Sequence, residues 1–194
     1  LLIEDDVAVR IGSEQALQAA GFQVESFESA ERVVPSIQPG ISAIVVSDVK
    51  LPGMDGLGLL RHVVDIERNL PVILVTGHGD ITMAVEAMRE GAYDFIEKPF
   101  PSEQLGEVVG RAAETRRLTL EVETLRNRLR NWVGIEASLL GRSPQMEQVR
   151  HTILDLADTS ANVVVIGETG TGKELVARCL HEQSSRRDGR LVAI

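Results

Sequence analysis

Apolar and polar positions along the first hundred residues alternate between two textures. Short apolar runs stand at "LLI" (1–3), "FQVESF" (22–27), "ISAIVVS" (41–47), "PVILVT" (71–76) and "YDFIE" (93–97). Between them apolar residues recur at helical spacing over 7–20, 29–37, 57–68, 81–90 and from 102 onward. Strands alternating with helices predict βαβ units and a parallel sheet. The run "AIVVS" is apolar almost throughout, as a central strand covered on both faces requires. Gly21 and Gly91 follow helical segments, where a left-handed C-terminal cap is expected. Five such units predict an α/β fold with a doubly wound, five-stranded, flavodoxin-like parallel sheet.

From Leu105 the helical pattern does not stop. Leu118, Val122, Leu125, Leu129 and Trp132 are spaced 4, 3, 4 and 3, the seam of a heptad repeat. Residues 102–132 therefore predict one long helix that leaves the first domain as a linker. Such a seam suits either a homodimeric coiled coil through the 105–132 helix or a single amphipathic helix packed on a neighbouring domain; the spacing favours the dimer. A break is expected at "GIEASLLGRSP" (134–144). Ser143 as cap and Pro144 at the first helical position then open a helix reaching Ala157. The stretch "NVVVIGETGTGKELVARCL" (162–180) predicts a strand, a glycine-rich loop and a helix, and "RLVAI" (190–194) the beginning of another strand. The expected organisation is an α/β core over 1–104, the linker helix over 102–132, and the truncated start of a second α/β domain over 138–194.

Composition adds bounds. Aromatic residues are 3% of the 194, so aliphatic side chains must fill the cores. No apolar run approaches the ~18 residues that span a bilayer, and no membrane partner is expected. Cys179 is the only cysteine, which excludes an internal disulfide and fits a cytoplasmic protein. The start, "LLIEDD", reads as a strand trimmed at its front rather than a signal peptide. Residues 1–104 hold 17 acids against 7 bases, and residues 105–194 hold 12 against 13. The first part is therefore a poor nucleic-acid binder by itself.

Candidate chemistry follows from topology, because ligands of a doubly wound sheet bind outside the carboxyl ends of its strands. There the first run leaves Glu4, Asp5 and Asp6, the third Asp48, the fourth Thr76 and the fifth Lys98. Two like charges ~4 Å apart cost about 4 kcal/mol at an effective dielectric near ~20, so such a cluster needs counter-charge. Lys98 supplies one, and Mg²⁺, which takes oxygen ligands, would supply more. A carboxylate beside bound Mg²⁺ can attack phosphorus to give an aspartyl phosphate, with Thr76 and Lys98 on the phosphoryl oxygens. Any single Asp here is explained as a turn former or helix cap; the joint occurrence at four strand ends is not. His78 reads as a solvated loop residue, and the four histidines show no metal-ligand spacing.

At "IEDD", "SDVKLPGMDG", "VTGHGD" and "EKPF" the chain resembles the receiver domain of two-component response regulators, over nearly all of residues 1–120. The resemblance implies that Asp48 is the phosphoacceptor. It implies that Asp5 binds the metal with Glu4 beside it, and that the Lys50 backbone carbonyl completes the protein ligands. Thr76 and Phe95 would form the switch pair, and Lys98–Pro99 a cis peptide. Arg10, five after Asp5, sets this register and leaves Asp6 as a helix cap. Gly77 departs from receivers that carry Ala there.

"GETGTGK", Gly167 to Lys173, has the setting of a P-loop between an apolar run and a helix. Backbone N–H groups there would hold nucleotide phosphates, with Lys173 on the β/γ oxygens. The candidate ATP-binding residues are Gly167, Glu168, Thr169, Gly170, Thr171, Gly172, Lys173 and Glu174; Glu174 replaces the usual Ser or Thr. "LLGRSPQMEQV" and "VIGETGTGKELVARCLHEQSSR" resemble the opening of the AAA+ domain of σ54-dependent (NtrC-like) transcription activators. In that family Glu follows the P-loop Lys, and the resemblance puts Leu140 and Gly141 near the adenine. Residues 71–100 are most similar to regulators of C4-dicarboxylate transport.

The resemblance implies a sensor histidine kinase as phosphoryl donor, and phosphorylation of Asp48 that controls dimer geometry and ATPase activity. For the full-length protein it implies σ54 RNA polymerase and promoter or enhancer DNA as partners. Lacking an acidic Walker B strand and an arginine finger, the chain is expected to be a phosphoacceptor that does not turn over ATP usefully. The competing reading is a free-standing P-loop NTPase with a flavodoxin-like domain, which predicts ATP turnover without Asp48 chemistry. A flavin-binding domain is disfavoured because the acidic rim repels the FMN phosphate; the intact acidic set argues against a receiver used only for protein contacts.

Overall fold

The computed structural model describes residues 1–77, 81–157 and 159–192. His78 lies outside the described residues, as do Ala193 and Ile194 of the last expected strand. The chain divides into two compact units, Leu1–Glu121 and Val122–Ile194.

In the first unit β1 (Leu2–Ile3), β2 (Ser26–Phe27), β3 (Val45–Asp48), β4 (Val72–Thr76) and β5 (Asp94–Glu97) form one sheet in the order β2-β1-β3-β4-β5. Every pairing is parallel. The connecting helices are α1 (Val7–Ala19), α2 (Ala30–Val33), α3 (Gly56–Ile66) and α4 (Ile81–Glu90), and α5 (Ser102–Ser138) follows β5. Alternation along the strands sorts side chains into two layers. Ile3, Val45, Val72 and Leu74 meet α2 and α3 through Val33, Leu59, Leu60 and Val63. Leu2, Val46, Ile73 and Val75 meet α1 and α5 through Leu17, Leu105, Val108 and Ala112. Residues two apart on a strand share a face, so the continuous apolar runs serve both layers.

Local chemistry sets the helix ends. Asp6 caps α1 by accepting the N–H groups of Ala8 and Val9 at 2.8 and 3.0 Å, and Asp55 caps α3 through the Gly58 N–H at 2.7 Å. Gly21 and Gly91, with φ of 91° and 107°, stand past the ends of α1 and α4. The helix predicted over 29–37 is shorter: α2 gives way to a 3-10 turn at Val34–Ser36. Pro35 is the reason, since it has no N–H for a helical ladder.

The second unit contains the rest of α5, then α6 (Pro144–Ala157) and α7 (Lys173–Gln183). The break predicted from Gly134 falls later, because α5 runs to Ser138. Ile135 and Leu139 are buried with Ile153 of α6 and Cys179 of α7, and this packing outweighs the helix cost of one glycine, about 1 kcal/mol. The strand predicted at 162–166 does not form, and Leu191 and Val192 are not in a strand either. A strand needs a neighbour for its backbone hydrogen bonds, and the described residues of this unit offer none. No helix among the described residues is long and apolar enough to cross a membrane.

Candidate functional site

The carboxyl ends of β1, β3, β4 and β5 bring part of the predicted set together. Glu4 and Asp48 are both buried, at 5% and 8% exposure. Lys98, just past β5, donates to Glu4 Oε2 at 2.6 Å and to Asp48 Oδ2 at 2.5 Å. The Lys98–Pro99 peptide is cis. Asp48 Oδ1 accepts the Lys50 N–H at 2.8 Å. Thr76 is fully buried beneath this rim, and its carbonyl accepts the Lys98 N–H at 2.7 Å. Phe95 sits opposite Leu74 on β5, partly buried against the α2–α3 layer.

Asp5 behaves differently from its neighbour. Its carboxylate is exposed, and its carbonyl accepts from Arg10 Nη1 at 3.2 Å, while the Glu4 carbonyl accepts from the same nitrogen at 2.6 Å. Arg10 thus ties the backbone of the acidic run to α1. Among the described residues no three His, Cys, Asp or Glu side chains converge on a cation position. The expected trio of Glu4, Asp5 and Asp48 is drawn together only as the Glu4–Asp48 pair, because the Lys98 ammonium bridges those two.

Two carboxylates share that one ammonium. Burial pushes the Glu4 carboxyl above its ordinary range, opposed by the hydrogen bond from Lys98 and reinforced by the charge on Asp48. Burial alone would lower the Lys98 pKa; its bonds to Asp48 and Glu4 carry it above the ordinary range instead. The rim sets two carboxylates against one ammonium and offers only oxygen donors beside it, a chemistry that fits a hard divalent cation.

In the second unit the glycine-rich segment opens α7 directly. Gly170 and Gly172 both take φ of 86°, a conformation that favours glycine. Lys173 Nζ donates to the carbonyls of Gly167 and Glu168 at 2.9 and 2.6 Å, and Thr171 Oγ1 donates to the Glu168 carbonyl at 2.8 Å. Thr169 is exposed, and Glu174 is exposed on α7 in an ion pair with Arg178 at 3.5 Å. An open cleft of about 620 Å³ beside this loop is lined by Val149, Ile153, Leu156, Ile166, Thr171 and Lys173. Leu140, expected near a base, is 80% exposed and forms no part of that cleft.

Two buried arginines escaped the reading of the sequence. Arg116, 1% exposed, donates to the Ile41 carbonyl at 2.8 and 3.0 Å and to Glu67 at 3.3 Å. Arg150 donates to the carbonyls of Leu139 and Gly141 at 2.6 and 2.5 Å, closing the end of α5. The signal was present: Arg116 continues the apolar stripe of Leu105, Val108, Val109 and Ala112, and Arg150 lies on the stripe of Met146, Val149 and Ile153.

The class these features define is a flavodoxin-like α/β unit with an acidic rim and a lysine after its last strand, followed by a unit whose glycine-rich segment opens a helix. The chain belongs to the response regulators: the response regulator receiver domain matches residues 1–110, and the sigma-54 interaction domain matches residues 139–194. It is 49% identical over 194 residues to the C4-dicarboxylate transport transcriptional regulatory protein DctD of Pseudomonas aeruginosa, covering 100% of this chain and 42% of the relative. Identity to the DNA-binding transcriptional regulator NtrC of Klebsiella pneumoniae is 36% over 193 residues, covering 100% of this chain and 40% of that protein. Among solved structures, NtrX from Brucella abortus in complex with ATP is 37% identical with a TM-score of 0.56, covering 100% of this chain and 42% of that one. The chain spans about two-fifths of the length of these relatives.

Proposed function

We propose that this chain is the phosphorylation-dependent regulatory part of a σ54-dependent transcription activator. The observation that carries the reading is Lys98 Nζ seated between Glu4 and Asp48, at 2.6 and 2.5 Å, where the ends of β1, β3 and β5 meet. A carboxylate oxygen of Asp48 attacks the phosphorus of a phosphohistidine on a sensor histidine kinase. The new P–O bond forms as the P–N bond breaks, and the imidazole leaves with a proton. Lys98 and the Thr76 hydroxyl take the phosphoryl oxygens. Glu4, Asp5, Asp48 and the Lys50 carbonyl are the residues that would hold Mg²⁺, which when bound offsets charge on the transferring group.

The phosphoryl group adds charge at the rim. Thr76 turns toward it, and Phe95 on the neighbouring strand follows, which shifts α4. Residues 105–132 of α5 carry the change as a change in homodimer geometry; Leu118, Val122, Leu125 and Leu129 are 47%, 43%, 52% and 67% exposed and available for that seam. Trp132, the last seam position, lies 4.6 Å from the His151 ring instead. Residues Gly167–Glu174 would bind ATP in the complete ATPase domain, which would act on σ54 RNA polymerase at promoter or enhancer DNA in the cytoplasm. The similarity to DctD supports a C4-dicarboxylate transport regulator in particular.

Incubation with acetyl phosphate and Mg²⁺ tests the reading. We expect one phosphoryl group per chain by intact mass, labile to hydroxylamine and to base as an acyl phosphate is, and lost in Asp48→Ala. Equal labelling of that variant would overturn the assignment.

A further inference from the structure

Between β3 and α3 the segment Val49–Asp55 carries Lys50 beside Asp48. Its base is closed, because the Gly56 N–H donates to the Val49 carbonyl at 2.9 Å. Only glycine fits at that closure: a Cβ on Gly56 would overlap the Asp48 carbonyl. The far end of the loop is held from another element. Glu31 on α2 accepts the Met54 N–H through Oε1 at 2.7 Å. The same carboxylate occupies the space where a side chain on Gly53, with φ of 80°, would stand.

Glu31 meets the loop as a charged group. The Met54 N–H, first among the polar groups around its carboxylate, holds it below the ordinary carboxylate range. It is therefore ionised at neutral pH, and a hydrogen bond to a charged acceptor is stronger than one to a neutral acceptor. The loop is thus fastened at two points, by its own backbone at the base and by α2 at the tip.

We propose that Glu31 is a positioning residue for the phosphoacceptor site: by holding Gly53 and Met54 from α2, it fixes the loop that presents the Lys50 carbonyl to a divalent cation beside Asp48. The proposal rests on the reading of Asp48 and Lys50 given above. Without Glu31 the loop tip loses its external anchor, and cation binding has to order the loop as well as bind the ion, which weakens affinity.

The test uses the whole chain, with Mg²⁺ as the probe. Titration calorimetry of Glu31→Ala should show Mg²⁺ affinity about tenfold weaker, the scale on which outer-shell supports of metal ligands act. The Mg²⁺ concentration for half-maximal labelling by acetyl phosphate should rise by the same factor. The rate at saturating Mg²⁺ should stay within about twofold, because binding and not chemistry is lost. Glu31→Gln keeps a carbonyl acceptor and should recover most of the affinity. In metal-free protein the Met54 amide should exchange faster in Glu31→Ala than in the parent.

A Glu31→Ala protein with unchanged Mg²⁺ affinity and labelling, even one of lower thermal stability, would overturn the positioning role while leaving Asp48 as phosphoacceptor. So would equal Mg²⁺ losses in the Ala and Gln variants. A parent protein that takes no label from acetyl phosphate would remove the phosphoacceptor reading and this proposal together.

Discussion

Two apolar runs of similar texture meet different ends in this molecule. Val72–Thr76 is a strand buried at every residue, paired with β3 on one side and β5 on the other. The run 163–166 reads just as much like a buried strand, yet Val164 is 81% and Ile166 91% exposed. Residue type does not separate them, since both are rich in Val and Ile. Neighbours do. A helix satisfies its backbone within its own segment, whereas a strand depends on other strands. Among the described residues of the second unit, helices α6 and α7 pack around Ile135, Leu139, Ile153 and Cys179. The first unit closes two full layers on its sheet. An apolar run is half of the specification for a strand, and the partner is the other half.

The sharpest way to break this comparison is to empty equivalent sites in the two cores. Ile73 on β4 is 0% exposed and Ile153 on α6 is 2% exposed. We expect Ile73→Ala to cost about 4 kcal/mol, in the upper part of the range for buried Ile→Ala. Sheet and helices on both sides of Ile73 cannot close the void. Ile153→Ala should cost nearer about 2 kcal/mol, because a small cluster between helices can collapse. Urea unfolding followed by circular dichroism measures both. Equal losses would mean that the second unit is packed as rigidly as the first.

Much of the first unit was legible because its strands carry their partners in the same sequence. Five apolar runs with turn residues between them led to the parallel sheet, and the sheet led to the rim where Glu4, Asp48 and Lys98 meet. Helix caps were equally readable at Asp6, Gly21 and Gly91, since capping is local. What escaped was non-local. Nothing about Arg116 announces that it reaches Ile41 and Glu67, 75 and 49 residues away in sequence. Nothing local to Glu31 shows that the Met54 N–H, 23 residues on, donates to it. Nor could spacing show that Asp5 would stand exposed while Glu4, one residue earlier, is buried. Adjacent residues of an extended segment point to opposite sides, but which side is covered depends on Lys98.

Arg116 sharpens the comparison at intermediate size. It is a buried charge whose partners belong to the first unit alone, so its removal should weaken that unit. Arg116→Met keeps most of the apolar stem, leaves the Ile41 carbonyl without its donor and Glu67 without its ion-pair partner, and we expect a loss of about 2 kcal/mol at pH 7. Acid should erode part of that contribution. Burial alone would raise the Glu67 pKa, but the Gly40 N–H and Arg116 outweigh it and hold the carboxyl below its ordinary 4.5. A depressed folded-state pKa gives stability that is present above 4.5 and lost as pH falls through the folded value. The stability gap between the parent and Glu67→Gln should therefore narrow below pH 4.5 and stay constant between pH 6 and 8. A gap that widened with acid would contradict the Glu67 assignment.

The smallest expected effect bears most directly on the two apolar runs. If 163–166 has no strand partner, Val164 touches little that a smaller polar residue would miss. Val164→Ser should then change unfolding stability by no more than about 0.5 kcal/mol, the ordinary range for surface substitutions. Leu74, in the middle of β4 and fully buried, provides the matched control. Leu74→Ser should cost at least about 4 kcal/mol, from a lost buried side chain and a buried hydroxyl. Paired chemical denaturation of the two variants measures the contrast. A loss above about 2 kcal/mol for Val164→Ser, on the scale of a core truncation, would show that 163–166 is covered in solution by a segment it does not touch here. The difference between the runs would then be one of occupancy and not of partners.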